Sequence, residues 1–337
     1  MKLHKIFLTS IIVFILIGFG IFEKYIHAKG DVLQKNKFEG EIIYDRAYYG
    51  GWHIFKINGS FPDKAIQLTI KDSKYSGNNI EPKWSPQGRY IAYVNREWGR
   101  GKNVKSNIFI MDFDGGNRRR LTNFSYGIIF DIRWSKNGEE ILFTYNPNKP
   151  KENIVEKAVN IKTGIIRDVI EEKANGCYHV IPSANEEVLI CITPPIWSSK
   201  YSFSIYHREG RADAATGKKQ ETIFYKGKGY RKKKELPLKT AFNPIWSRDN
   251  TKFAVIIGAD LIIFDKDGNQ INRIENLCRA EGGACLRMWS YDSKKILYSC
   301  YCGAEEIQER IYILNLETKK SFFIAEGQHP DWYFQKK

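Results

Sequence analysis

Polar side chains recur at one position of a repeated sequence in this chain. Most copies contain a tryptophan followed by serine, and the position three residues before the tryptophan often carries an imidazole, a carboxylate or an amide. Such groups are plausible ligands for a borderline divalent metal ion. The candidate residues are Glu81, Asp131, His179, Asn243 and His329.

The same five residues also fit functions that need no metal. If they line one end of a channel, they could form a water-filled funnel, or bind a small ligand or the end of a peptide. The imidazoles of His179 and His329 are the candidate metal ligands, whereas the sixth equivalent position, Leu286, has no ligating group. We therefore treat the five residues as a ligand-binding set and the metal as an alternative.

The elements that would position these residues are the repeats themselves. Four units open with Trp-Ser and a polar turn, a weaker unit has Pro182 in place of the tryptophan, and in all five an apolar run begins six residues after the serine. The units begin at Trp84, Trp134, Pro182, Trp246 and Trp289, with a partial copy at Trp332, and successive copies are 43 to 64 residues apart. Four short strands in a unit of this length are typical of a β-propeller blade.

Counting the units predicts an all-β, six-bladed propeller with four-stranded blades. Five units are complete, and the sixth is split between the strands from Gly40 to Thr69 and the C-terminal segment around Trp332. Pairing of the C-terminal strand with the first blade would close the ring and remove exposed sheet edges. We expect the tryptophans to pack between neighbouring blades.

The blocks EPKWSPQGRYIAYV and NIFIMDFDGGNRRRLT resemble the repeats of TolB-like propellers, which are also described as WD-repeat-like. The resemblance covers about residues 38–334. It implies a propeller fold and protein binding in the cell envelope, without naming a pathway. TolB itself carries an α/β domain before its propeller, and we expect that domain to be missing here.

The first 29 residues predict a membrane-directing segment. Lys2 and Lys5 precede a run from Ile6 to Phe22 that is almost wholly apolar. Its length lies between that of a cleaved signal peptide and that of a spanning helix. We predict an uncleaved anchor, a linker over residues 30–37 and an extracytoplasmic propeller. The alternative is cleavage after Ala28 and release into the periplasm.

Positive charge is concentrated in two stretches. The chain has a formal charge of +15, and its excess belongs mainly to the part after the leader. The sequence predicts two binding loops, NREWGRGKNVKS and KGKGYRKKKELPLK, for an envelope protein or an anionic envelope component. An exported chain argues against nucleic acid, and we expect a monomer. The candidate partner-binding residues are Arg96, Arg100, Lys102, Lys105, Arg231, Lys232, Lys233 and Lys234.

The six cysteines predict disulfides, because exported proteins meet an oxidising environment. The expected pairs are Cys285 with Cys300, Cys278 with Cys302, and Cys177 with Cys191. A redox or metal site at the Cys-x-Cys sequence of Cys300 and Cys302 is the alternative.

Motifs of known catalytic chemistry are missing from the sequence. There is no Gly-x-Ser-x-Gly nucleophile elbow, phosphate-binding glycine loop or His-Glu-x-x-His sequence. We therefore predict a non-catalytic binding module without a cofactor. The alternative is a metal-dependent lyase or hydrolase of acidic sugars, which would use His179, His329 and nearby carboxylates at the channel mouth.

Overall fold

The computed structural model describes most of the chain after residue 36. The described ranges are 37–70, 77–98, 104–148, 153–169, 177, 179–193, 202–209, 222–225, 228–236, 241–278, 284–301 and 309–334. They contain 25 β-strands and no helix. A helix long and apolar enough to cross a membrane is thus not found in these ranges. The predicted membrane segment, residues 1–29, lies outside them.

The strands form six sheets, which confirms the predicted six-bladed, all-β propeller. Each sheet is one blade, and its strands are given from the inner edge outwards. Blade 1 contains β25 (Gln328–Tyr333), β1 (Glu41–Tyr48), β2 (Gly51–Asn58) and β3 (Ala65–Gln67). Blade 2 contains β4 (Asn78–Trp84), β5 (Tyr90–Trp98), β6 (Val104–Asp112) and β7 (Arg119–Arg120). Blade 3 contains β8 (Ile128–Trp134), β9 (Glu140–Asn146), β10 (Val155–Asn160) and β11 (Ile166–Asp168).

The other three blades follow the same antiparallel order, with one addition. Blade 4 contains β12 (His179–Pro182), β13 (Val188–Thr193), β14 (Ser202–Arg208), β16 (Lys228–Leu236) and, outermost, β15 (Thr222–Tyr225). Blade 5 contains β17 (Ala241–Trp246), β18 (Lys252–Ile257), β19 (Asp260–Asp265) and β20 (Gln270–Ile274). Blade 6 contains β21 (Ala284–Trp289), β22 (Lys295–Cys300), β23 (Arg310–Asn315) and β24 (Lys320–Glu326).

Blade 1 closes the ring with strands from both ends of the described chain. Strand β25 pairs antiparallel with β1, and Trp332 lies opposite Ile42. The closure predicted from the split sixth unit is therefore confirmed. It gives β25 the inner place that β4, β8, β12, β17 and β21 occupy in the other blades.

The serine after each aromatic residue holds the turn between the first two strands of a blade. In blade 2 the Ser85 hydroxyl oxygen accepts a hydrogen bond from the Tyr90 N–H at 2.9 Å. The same bond links Ser135 to the N–H of Glu140 in blade 3 at 2.9 Å. A side-chain bond of this kind fixes a tight turn. The repeated spacing between serine and the apolar run follows from it.

The tryptophans join neighbouring blades, as the sequence predicts. The indole N–H of Trp134 donates to the carbonyl of Lys83 in blade 2 at 3.0 Å. Trp289 makes the equivalent bond to Ile245 at 3.0 Å. Since buried indole N–H groups need an acceptor, each bond fixes one blade against the preceding blade. Trp84 differs, because its buried indole nitrogen has no hydrogen-bond partner in the described structure.

The core lies between blades. Ile80 and Val94 of blade 2 pack in one cluster with Ile129 and Phe143 of blade 3. Similar clusters join blades 1 and 2, 4 and 5, 5 and 6, and 6 and 1. Blade 4 has a second cluster whose described members, among them Cys191 and Tyr230, all belong to blade 4. The junction between blades 3 and 4 therefore lacks a shared cluster in the described residues.

One predicted disulfide is present, and the other two pairings are wrong. Cys177 and Cys191 are bonded, with 5.4 Å between their Cα atoms. Cys300 is bonded to Cys278 and not to Cys285. The register explains this difference, because Ser299 lies opposite Cys285 and Cys300 lies opposite Ala284. Cys285 and Cys300 thus point to opposite faces of the sheet, and Cys285 is free and exposed.

The second pairing fails for a related reason. Cys278 is already bonded to Cys300, so it cannot bond to Cys302, which lies outside the described residues. Because Cys300 is in this disulfide, its sulfur is not a free thiol for the alternative redox or metal site at Cys300 and Cys302.

The long basic stretch of blade 4, which the sequence predicts to be a loop, is largely a strand. Residues Lys228–Leu236 form strand β16, which pairs with β14 on one side and β15 on the other. The extra length of this repeat is therefore used for a fifth strand at the outer edge of the blade.

Candidate functional site

Three of the predicted mouth residues lie on irregular backbone. Glu81, Asp131 and His329 have φ angles of 55°, 55° and 47°. Each lies where the register between the first two strands of its blade shifts, on β4, β8 and β25. Bulges re-aim side chains, and a non-glycine residue with positive φ is uncommon and often functional. Three consecutive blades thus present polar residues from equivalent bulges.

The structure brings only two of the five predicted mouth residues together. Glu81 and His329 belong to one cluster, which is described below. Asp131 is exposed, and no described bond joins it to that cluster. His179 is the first residue of β12 in blade 4, and Asn243 lies within β17 in blade 5. The side chains of both residues are outside the described structure.

A residue that the sequence analysis missed organises the cluster. Asp45 on β1 is fully buried, and both of its carboxylate oxygens lie 3.0 Å from His329 Nδ1. Its Oδ2 also lies 3.4 Å from the backbone nitrogen of Glu81, at the weak end of hydrogen bonding. The carboxylate therefore joins the inner strands of blades 1 and 2.

A signal for Asp45 was present in the sequence. The segment IIYD of blade 1 aligns with IAYV of blade 2, which places Asp45 at the position of Val94. The strand registers support this alignment. Asp45 pairs with Gln328 and Val94 pairs with Ile80, and each partner comes directly before the bulge of its inner strand. Val94 is buried in the apolar core. A carboxylate at this position is not needed for a blade to form.

Glu81 is paired with an arginine of its own blade. Arg96 Nη2 lies 3.6 Å from Glu81 Oε1, and it donates a hydrogen bond to the carbonyl of Ile129 at 2.9 Å. The two side chains are 15% and 19% exposed, so water reaches them only in part. Burial raises the pKa of Glu81. The neighbouring His329 and Arg96 side chains lower that pKa, and the nearby Asp45 carboxylate raises it. The net effect is a carboxyl group that holds its proton to higher pH than usual.

We call Asp45, Glu81, Arg96 and His329 the mouth cluster. It consists of two oppositely charged or chargeable pairs, Asp45 with His329 and Glu81 with Arg96. Because the Asp45 carboxylate accepts from Nδ1, Nε2 is the ring nitrogen of His329 that is left for a ligand. The cluster can therefore offer hydrogen-bond donors and acceptors side by side.

A metal site is not formed by the side chains that the structure describes. Within those residues, no group of three or more His, Cys, Asp or Glu side chains is arranged to hold a metal ion. The predicted metal pair of His179 and His329 stays a prediction, since the His179 side chain is outside the description.

The residues of the two predicted basic loops have different surroundings in the structure. Arg96 belongs to the mouth cluster, and Lys105 pairs with Glu97 at 3.1 Å on the same hairpin. Arg100 and Lys102 lie outside the described residues. On β16, Arg231 pairs with Glu209 at 3.2 Å and Lys232 with Glu235 at 3.0 Å. Part of the charge in the second stretch is thus balanced at the surface of blade 4.

No family model matches this chain. Among curated proteins, the "Uncharacterized peptidase YuxL" of Bacillus subtilis (strain 168) is 38% identical over 66 residues. That match covers 20% of this chain and only 9% of the relative, so it does not show the family.

Solved structures resemble this chain in fold alone. A nidogen/laminin complex superposes with a TM-score of 0.52 at 8% identity, covering 89% of this chain and 100% of that chain. A structure of prolyl endopeptidases gives 0.51 at 11% identity, covering 88% of this chain and 49% of that chain. A candidate TolB from Agrobacterium tumefaciens gives 0.48 at 12% identity, covering 86% and 91%. These likenesses concern the propeller and do not select a family.

Proposed function

We propose that this protein is a non-catalytic binding module of the cell envelope, and that its ligand binds over the mouth cluster. The observation that carries the proposal is the buried Asp45 carboxylate, which holds His329 beside the Glu81 and Arg96 pair. Burying charged groups is costly, and the equivalent place in blade 2 is filled by Val94 at no such cost. The cluster is therefore better explained by binding than by folding.

The compartment is part of the same proposal. The disulfides of Cys177 with Cys191 and of Cys278 with Cys300 suit an oxidising environment. Together with the basic, apolar leader in the sequence, they support an extracytoplasmic propeller, either anchored or released. An envelope protein or an anionic envelope component remains the partner class that the sequence favours.

The test is ligand capture from envelope extracts by the immobilised full chain. The variant Glu81→Gln/His329→Gln should lose most of the captured ligand, because it removes both pairs of the mouth cluster while keeping side-chain volume. The matched control is Lys294→Gln in the exposed turn between β21 and β22, which should capture as the wild type does. Equal capture by the mouth variant and the wild type would contradict the proposal.

A second function is favoured by one specific contact. Histidines that bind metal often donate their other ring N–H to a carboxylate, which is the arrangement of His329 and Asp45. A metal-dependent lyase or hydrolase of acidic sugars would use His329 and, as the sequence suggests, His179. Metal analysis of the purified protein tests this, with His179→Ala/His329→Ala as the comparison. Bound metal that this variant loses would favour the enzyme over the module.

A further inference from the structure

Three exposed apolar side chains lie at one end of blades 1, 2 and 3. Because neighbouring strands are antiparallel, the turn between the third and fourth strands lies at the end where the first strand finishes. We call this the turn end. Phe61 is 65% exposed there in blade 1, Phe113 is 49% exposed in blade 2, and Ile165 is 67% exposed in blade 3. We call these residues the apolar tips. The corresponding described turns of blades 5 and 6 expose Lys266 and Thr318 instead.

Backbone hydrogen bonds hold each apolar tip in its turn. The Phe61 carbonyl accepts a bond from the N–H of the last residue of its turn at 3.1 Å. The Phe113 N–H donates to the carbonyl of Arg89 at 3.1 Å, and the Ile165 carbonyl accepts from the last residue of β10 at 3.0 Å. The apolar side chains are therefore exposed on backbone that is itself well bonded.

Contacts between neighbouring blades join the three turns into one surface. Lys56 on β2 of blade 1 donates to the Phe113 carbonyl at 3.0 Å, and its ammonium lies 5.1 Å from the centre of the Phe113 ring. Arg119 of blade 2 donates to the carbonyl of Ile161 at 2.6 Å, in the turn that carries Ile165. Each turn is thus bonded to the next blade along the ring.

The described chain enters the propeller beside the first apolar tip. It begins at Lys37, and the Phe38 N–H donates to the carbonyl of Gly59 at 3.1 Å. Gly59 in turn donates to Gly40 at 2.9 Å, and a side chain at Gly59 would collide with the Phe38 carbonyl. Since Gly59 opens the turn that carries Phe61, the entering chain lies against that turn.

The length of the preceding chain limits how far a membrane can lie from this point. The sequence predicts a membrane-directing segment over residues 1–29, so residues 30–36 form the connection to Lys37. Fully extended, seven residues span at most about 25 Å. If the segment is retained in a bilayer, this short tether brings the turn end to the membrane surface. A tether also raises the effective concentration, so that weak apolar contacts are enough for docking.

The opposite end of the propeller has exposed aromatic residues too, and the chain distinguishes the two ends. Tyr49 and Trp98 are 84% and 69% exposed at that opposite end, in the hairpins between second and third strands. Both termini of the described chain, Lys37 and Phe334, lie at the turn end. A bilayer at the turn end therefore leaves the other end open to the aqueous compartment.

The charges of the three turns favour apolar contact over electrostatic attraction. The turn of Phe61 contains Asp63 and Lys64, and the turn of Phe113 contains Asp114 and Arg118. Each of these two turns is balanced, and the turn of Ile165 adds one lysine. Contact with a membrane should therefore depend on the apolar side chains and little on salt.

We propose that the turn end of blades 1 to 3 rests on a phospholipid bilayer, with the apolar tips inserted into its interfacial region. Exposed apolar patches commonly mark membrane or protein contacts, and Phe and other large apolar side chains insert at this depth. The inference goes beyond the proposed function, because it concerns the end of the propeller away from the mouth cluster. It orients that cluster towards partners in the aqueous compartment.

The experiment uses the full chain in nanodiscs of phosphatidylethanolamine and phosphatidylglycerol that contain a lipid with a photoactivatable acyl chain. Mass spectrometry maps the cross-linked residues, which we expect in the turns at 59–64, 113–118 and 161–165. The variant Phe61→Ser/Phe113→Ser/Ile165→Ser should lower their yield about tenfold, because the apolar surface that is buried in the bilayer is lost. The corresponding triple leucine variant should keep the yield. Trp98→Ser is the matched control, an exposed aromatic of blade 2 at the opposite end.

The outcomes decide the inference separately from the proposed function. Cross-links in the three turns that the serine variant loses, and that Trp98→Ser and high salt leave unchanged, support it. Cross-links confined to residues 1–29, or found at Tyr49 and Trp98 in place of the apolar tips, overturn it. Loss of the turn cross-links at high salt overturns the apolar contact. The serine variant should still capture its ligand as the wild type does, whereas Glu81→Gln/His329→Gln should keep the lipid cross-links.

Discussion

Blades 2 and 4 have the same order in their inner three strands, but they differ in the contacts that stabilise them in the ring. Blade 2 shares a core cluster with blade 3 and receives a hydrogen bond from Trp134. Blade 4 has Pro182 where a tryptophan stands in other repeats, and its disulfide joins Cys191 on β13 to Cys177, two residues before β12. Blade 4 thus lacks the tryptophan contact to the preceding blade, and it has a covalent bond within the blade, between β13 and the segment before β12.

The two blades also differ in their charges. Blade 2 contributes few charged groups to the mouth, but Glu81 and Arg96 are mostly buried and paired. Blade 4 carries a run of lysines on β16, and these are at or near the surface. Burial and pairing, and not the number of charges in the sequence, therefore distinguish the candidate site.

Removal of the blade 4 disulfide should have the largest effect on stability. We expect Cys177→Ser/Cys191→Ser to lower the free energy of unfolding by about 3 kcal/mol, because the bond closes a loop of 14 residues. Denaturant unfolding under oxidising conditions measures this. Cys285→Ser, which removes a free thiol, serves as the control, and an equal effect of both changes would refute the role of the disulfide.

The tryptophan contact should have a smaller effect that can be isolated. Trp134→Phe and Trp84→Phe remove the same atoms, but only Trp134 loses a hydrogen bond, the one to Lys83. We expect Trp134→Phe to cost about 1 kcal/mol more than Trp84→Phe. Thermal and denaturant unfolding of the two variants measure the difference. Equal costs would show that the indole bond does not hold blade 3 to blade 2.

The raised pKa of Glu81 predicts a pH dependence. In the folded chain Glu81 keeps its proton above the ordinary value of 4.5, so stability falls as pH rises from 4.5 through the raised pKa. Glu81→Gln should remove this loss, and its stability relative to the wild type should rise over that pH window. Glu140 provides the opposite control, because its hydrogen bond with Arg167 lowers its pKa. Relative to the wild type, Glu140→Gln should become less stable as pH rises towards 4.5.

The basic strand of blade 4 should have the smallest effect. Lys232→Gln/Lys233→Gln/Lys234→Gln should change the free energy of unfolding by no more than about 0.5 kcal/mol, since exposed charges contribute little. Urea unfolding at low and high salt checks this. A loss of several times that size would mean that β16 depends on its lysines to remain in the sheet.

The blades can be predicted from the sequence because Trp84 and its equivalents repeat with serine turns whose bonds the structure contains. Strand β16 cannot, since the run from Arg231 to Lys234 lacks the alternation that marks a strand and its pairing depends on β14 and β15. Glu81 and His329 are predictable from their position in the repeat. Asp45 is not, because a single carboxylate within an apolar strand becomes informative only after blades 1 and 2 are aligned.

The central claim is that ligand binds at the mouth of blades 1 and 2. Hydrogen exchange of the full chain, measured with and without the ligand retrieved by capture, tests it most directly. The account predicts slower exchange in β4 and β25, with β16 unchanged. Protection confined to β16 would contradict it.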